Sequence, residues 1–308
     1  GTFTLTALPG TPSIHNVISA AALETTLFAG GWYGLGGGAL MFAGGMWYLE
    51  RQRRIAAANG EHFQPAPSDP VSTANAGDPG YPHWLPAALP LALVLGTIVA
   101  PRLIITSLDE ATLAQPGWFF ALLRFADSQP VVWPSIALLA GTLVAVLMFP
   151  MVRGRALEVV GHGTQDSIMP LINTAAVIGF GGVVTQTAGF EQFTRLMLES
   201  GLPPLVSMFG SVSLVAGITG SASGGLQIFM QTMAPAYLEM GIEPGTLHRL
   251  ATMASGGFDS LPHCGAVVAM LTITGLTHKE AYRDVGIVTV VIPVLATLVM
   301  IAVAAITT

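Results

Sequence analysis

Charge is what this sequence has least of. Only 9% of its 308 residues are Asp, Glu, Lys or Arg, against 52% hydrophobic residues and a mean hydropathy of +0.66. A soluble domain carries about a quarter charged residues. So few charges cannot coat a water-facing surface of this size, and lipid is the natural solvent for the rest. The net charge of −6 comes with no basic tract, which argues against nucleic-acid binding. A single cysteine, Cys264, excludes an internal disulfide and a multi-cysteine metal site. Enzyme signatures are missing as well. There is no G-x-x-x-x-G-K-[ST] loop for ATP and no H-E-x-x-H. In the run from Gly220 to Gly224, Ala222 stands where a G-x-S-x-G motif places its nucleophile. No cofactor is expected.

What is present is a series of apolar segments. Residues 25–49 read as a first span, closed by Glu50, Arg51, Arg53 and Arg54, and 50–83 as a flexible polar connection. Residues 84–106 and 131–151 read as further spans, with 109–130, rich in charge and aromatics, lying in the interface between them. A fourth span covers 168–188, loosened by Gly179, Gly181 and Gly182, with His162 in the preceding loop. The last span, 285–306, is interrupted only by Pro293. Two stretches behave differently. Residues 203–235 hold two apolar runs, each too short to cross about 30 Å of hydrocarbon, around Gly220-Ser221-Ala222-Ser223-Gly224-Gly225. This is the pattern of a re-entrant hairpin. Residues 246–276 are long enough to cross, but Ser255-Gly256-Gly257-Phe258-Asp259-Ser260-Leu261-Pro262-His263 breaks the helix midway. Exposed backbone at that depth is tolerated only under cover of protein or a water-filled cavity.

The cations set the orientation. With 50–83 cytoplasmic, alternation collects Arg51, Arg53, Arg54, Arg153, Arg155, Lys279 and Arg283 on that side. Arg124, Arg195 and Arg249 fall outside, with Arg102 near the boundary. The same alternation runs spans 25–49 and 285–306 in opposite directions. Each follows a similar hexad, Thr6-Ala7-Leu8-Pro9-Gly10-Thr11 in one case and Asp259-Ser260-Leu261-Pro262-His263-Cys264 in the other. An inverted pair of units, each with a broken helix, is the plan of many secondary transporters. The expected fold is therefore an all-α integral membrane protein, an inverted-repeat transporter with a re-entrant hairpin and discontinuous helices. Residues 1–49 end the first unit, 50–83 connect, and 84–308 hold a linking span and the second unit. The opening Thr2 to Thr11 reads like the middle of a membrane segment. By repeat symmetry the chain is expected to be a piece of a longer one, lacking about 120–170 residues and a first hairpin.

The candidate chemistry lies at the hairpin tip and the two breaks. Gly220, Ser221, Ala222, Ser223 and Gly224 offer hydroxyls, bare amides and an open helix end that attracts a carboxylate. The alternative is a tight turn that uses small residues for packing. Asp259 is the acidic residue placed deep in an apolar span, where an ionised carboxylate must face a cavity, a cation or a proton path; its structural alternative is a helix cap. His263, four residues on, is a second proton-coupling candidate or a satisfied structural histidine. Ser255, Gly256, Gly257 and Ser260 flank Asp259. Thr2, Thr4, Thr6, Gly10 and Thr11 are the first unit's counterparts. Asn173 and Thr174 enter the fourth span as an uncharged polar pair that either lines the site or bonds another helix.

At these residues the sequence resembles the gluconate permease family of secondary carriers. Residues 1–12 look like its first break, Gly220 to Gly225 like its second hairpin tip, and Ser255 to His263 like its second break. Gly275-Leu276-Thr277-His278-Lys279-Glu280 is similar to the loop that follows. The resemblance implies proton-coupled uptake of a small anionic hydroxycarboxylate across a bacterial inner membrane, with homodimerisation carried over from related carriers. Cys264 stands where the family pattern would have an asparagine, so 3-hydroxybutyrate is open beside gluconate. Rival readings are a sodium-coupled di- or tricarboxylate transporter, a channel, and a membrane-embedded enzyme acting on lipid.

Overall fold

The computed structural model describes residues 6–61 and 83–307, apart from the side chains of residues 110, 169, 170, 173 and 174. Among the described residues the chain is helix and loop, with no strand. Helix α1 (Ile14–Leu23) follows the first Leu-Pro break, and Ser13 caps it by accepting from the Asn16 N–H. Gly30, at φ +59°, turns the chain into α2 (Gly31–Ala58). This helix departs from the span expected at 25–49: it starts later and continues through residues 50–58, read from sequence as flexible connection. The reason is local. The Glu50 carboxylate accepts from Arg53 at 2.7 Å and Arg54 at 2.8 Å, the spacing that supports a helix. Those two guanidiniums hold the Glu50 carboxyl at about 2, below the usual carboxylate range.

Helix α3 (Trp84–Ser107) is long and apolar enough to cross a membrane, as is the helical stretch His278–Thr307. After a short α4 (Glu110–Leu113), α5 (Trp118–Ser128) and α6 (Val132–Met148) meet at 105°. Arg102 of α3 pairs with Asp127 of α5 at 3.2 Å and fixes that corner. Leu91 and Leu139 are 63% and 70% exposed. On helices this apolar, such a surface calls for lipid.

A single turn, α7 (Pro150–Arg153), leads to α8 (Ala156–Val184), a continuous helix that corrects two expectations. His162 is helical, not in a loop, and the glycines do not loosen the span. Gly181 instead admits Ile228 of a later helix, which a Cβ would displace. Helix α9 (Ala188–Leu198) precedes a hairpin of α10 (Pro204–Thr219) and α11 (Ala222–Thr232), then α12 (Ala234–Glu239). The hairpin arms close because Gly225 has no side chain: a Cβ there would lie 2.6 Å from the Ala216 amide nitrogen.

Helix α13 (Pro244–Phe258) is opened by Glu243, whose carboxylate accepts from the N–H groups of Gly245 and Thr246 at 2.8 and 2.6 Å. Residues 259–264 break the path before α14 (Gly265–Thr274). Thr277 and Glu280 form a capping box that starts α15 (His278–Gly286), which continues through a π turn at Ile287–Val291 into α16 (Ile292–Thr307). The π turn was not foreseen. It sits just before Pro293, which has no N–H to give to the carbonyl four residues back, and the wider turn accommodates that missing bond.

Helices α2 and α15–α16 pack in opposite directions. Tyr33, early in α2, meets Thr307 at 3.0 Å, whereas Tyr48, later in α2, donates to Asp284 at 2.5 Å. The core lies between α10, α11, α13 and α16, around Met208, Phe229, Leu247, Leu250 and Met253.

Candidate functional site: a cavity between two helix breaks

The hairpin tip and the second break meet at one cavity of about 300 Å³. Its walls include Thr219, Ser221, Ala222 and Ser223 from the hairpin and Asp259, His263, Gly265 and Ala266 from the break, with His15 of α1 and Val177 of α8 closing the sides. Two helices begin here. Ser221 caps α11 through its Oγ, which accepts from the Gly224 N–H at 3.2 Å. Cys264 precedes α14 and supplies no side-chain cap. Among the described residues, the amide N–H groups of Ala222, Ser223, Gly265 and Ala266 have no protein acceptor. Two helix N-termini therefore present unpaired donors, each with the positive end of its dipole, to one space. Such an arrangement holds an anion.

The second break is held from several sides. The His263 Nε2–H donates to the Gly217 carbonyl at 2.9 Å, the Tyr282 hydroxyl to the Ser260 carbonyl at 3.0 Å, and the His278 Nε2–H to the Pro262 carbonyl at 2.8 Å. Asp259 accepts from Ser260 Oγ at 2.9 Å and ends α13 without capping α14. The carboxylate and the negative end of the α13 dipole thus lie at the same cavity as the two positive helix ends.

Other candidates lie elsewhere. Ser255, Gly256 and Gly257 are buried inside α13. The Ser255 hydroxyl donates to the Thr252 carbonyl, a Cβ on Gly256 would lie 2.8 Å from Thr6 Oγ1, and one on Gly257 would lie 2.9 Å from Val294. They pack helices and do not face the cavity. Gly224 is likewise a packing glycine, since a Cβ there would overlap Val177 of α8. Ser260 serves Asp259 and does not line the cavity. Gly10 is at φ +72°, with its N–H on the Leu27 carbonyl, and Thr11 accepts from Asn16 Nδ2 at 2.6 Å. Thr6, Gly10 and Thr11 build the first break but do not line the cavity. Thr2 and Thr4, and the side chains of Asn173 and Thr174, lie outside the described residues.

Sequence reasoning missed the polar cluster that sets the first break in place. Arg249, counted above as an outer-side cation, is fully buried. Its Nε–H donates to the Ala29 carbonyl at 3.1 Å and its Nη2–H to Leu27 at 3.0 Å. The Nη1 group donates to Ala7 at 3.2 Å, Leu8 at 3.4 Å and Asn16 Oδ1 at 2.7 Å. Among the described residues no carboxylate lies within ion-pairing distance of it. His248 reaches Thr25 Oγ1 at 2.7 Å, and Ser19 bonds Thr252 at 2.9 Å. These bonds tie α1 to α13 and thereby bring His15 to the cavity. Neither His15 ring nitrogen has a hydrogen-bond partner among the described residues, and Nδ1 is sealed from solvent. Leaving a buried polar group unpaired costs about 1–3 kcal/mol. The signal available in the sequence was the polar pair His15-Asn16 inside an otherwise apolar run.

The chain is similar to a transporter. It is 35% identical over 307 residues to the uncharacterised transporter YxjC of Bacillus subtilis (strain 168), an alignment covering 94% of this chain. The chain spans 64% of that relative's length. No protein-family model matches it, and no solved structure does. The likeness agrees with the apolar helices of this chain.

Proposed function

We propose that the chain carries the substrate site of a proton-coupled secondary transporter for a small hydroxycarboxylate such as gluconate or 3-hydroxybutyrate, working by alternating access in a bacterial inner membrane. The observation that carries this reading is the convergence of two helix N-termini, with four unpaired amides among the described residues, on a cavity that also holds Asp259. The amides are suited to a carboxylate and Asp259 to a proton. The opposed packing of α2 against α15–α16 supports an inverted repeat, in which one unit rocks against the other around the site.

The coupling has an energetic reason. Moving a monovalent anion inward against the membrane potential costs about 2.3 kcal/mol per 100 mV. One co-transported proton cancels that cost, and a second adds a driving force of similar size. The full-length protein in proteoliposomes should accumulate labelled gluconate or 3-hydroxybutyrate under an inward pH gradient in sodium-free buffer. Accumulation that needs sodium and ignores a collapsed pH gradient would replace this reading with sodium-coupled carboxylate transport. No uptake of any carboxylate would end it.

A further inference from the structure

Beyond the amides and Asp259, one cavity-lining side chain has no structural task. His15 is carried on α1, the helix after the first break, and is held there by its neighbour Asn16. The Asn16 side chain donates to the carbonyls of Leu8 and Thr11 and accepts from Arg249. The residue is half-buried, lines the same cavity as the hairpin tip and the second break, and has no partner on either ring nitrogen among the described residues. Thr25 and Asn16 satisfy the buried histidine of this region, His248. Nδ1 is sealed, so the unpartnered Nε2 is the ring atom that can meet a ligand in the cavity.

We propose that His15 is a substrate-binding residue contributed by the first unit, hydrogen-bonded to a hydroxyl of the bound acid while the carboxylate rests on the amides of α11 and α14. The inference rests on the carboxylate-transport reading above. Its chemistry is specific. The reachable nitrogen of a neutral imidazole is a donor or an acceptor according to the tautomer, and a hydroxyl, itself both donor and acceptor, can pair with either. The amide N–H groups can only donate and suit the carboxylate. A site so divided prefers a hydroxy acid to its deoxy analogue, because the analogue leaves the ring unpaired. The cavity, about 300 Å³, lies at the small end of the roughly 300–1,000 Å³ usual for ligand pockets.

The test compares binding of 3-hydroxybutyrate and butyrate to the full-length protein, as wild type and as His15→Ala and His15→Asn. Wild type should favour 3-hydroxybutyrate. His15→Ala should weaken 3-hydroxybutyrate about 3–10-fold, the worth of one neutral hydrogen bond, and leave butyrate unchanged. His15→Asn, which keeps a donor and an acceptor, should recover part of the loss. Equal weakening of both acids in His15→Ala would reduce His15 to packing, and no change in either would remove it from the site. In both cases the carboxylate reading stands. If wild type binds neither acid nor gluconate, that reading falls and this assignment falls with it.

Discussion

Replacing Arg249 with leucine tests how the first break is held. Among the described residues this guanidinium is the sole donor to the Ala7 and Ala29 carbonyls, and the shorter of two partners of Asn16 Oδ1. The Leu8 and Leu27 carbonyls keep other donors, from Thr11 and Asn16 in one case and the Gly10 amide in the other. The buried Ala7 carbonyl and the half-buried Ala29 carbonyl are thus orphaned, at up to about 1–3 kcal/mol each. The variant also loses the desolvation cost of a buried charge, which favours the lower half of the resulting range, about 2–4 kcal/mol. Native stability is only about 5–15 kcal/mol. At roughly 2–4 °C per kcal/mol, Arg249→Leu should melt about 5–15 °C below wild type when the full-length protein is heated in detergent. Arg249→Lys keeps the charge but offers three donors in place of a five-donor fork, and should fall between. An unchanged melting temperature in Arg249→Leu would mean the carbonyls find other donors, and that the arginine does not position the break.

Asp259→Asn removes the exchangeable proton but keeps the shape; it should abolish uptake driven by a pH gradient while retaining counterflow exchange, and normal proton-dependent accumulation would shift the coupling role to His15, His263 or another group. At the hairpin, Gly225→Ala should impair folding more than Gly224→Ala, because Gly225 meets the Ala216 backbone and Gly224 a movable Val177 side chain; the order is read from the monodisperse yield in detergent, and a reversal would contradict the packing. Ser221→Ala removes the α11 cap and should cost about 1 kcal/mol, seen as a lower melting temperature with a smaller effect on affinity. For orientation, cysteines introduced at Asn59 and Thr112 should be labelled by an impermeant reagent from opposite sides of the membrane, and labelling of both from one side would overturn the topology.

Much of the architecture is written in the order of residues. Apolar runs interrupted by Gly220 to Gly225 and by Ser255 to His263 can be neither water-exposed nor continuous spans, so a helical hairpin and a broken helix follow from local chemistry alone. Local pairing also carries α2 to Ala58, a consequence of the spacing of Glu50, Arg53 and Arg54. What the linear order could not decide is which polar residues share a space. Arg249 looks like a topological marker until the carbonyls of the first break, more than two hundred residues away, close around it. Gly256 and Gly257 look like site residues until Thr6 and Val294 fill the room beside them. His15 looks like an ordinary polar interruption until α1 docks on α11 and α13. Helix breaks come from short-range preferences, but the partners of a buried polar group are chosen by long-range packing, and only the tertiary structure brought two helix ends, one carboxylate and one unpaired imidazole to the same cavity.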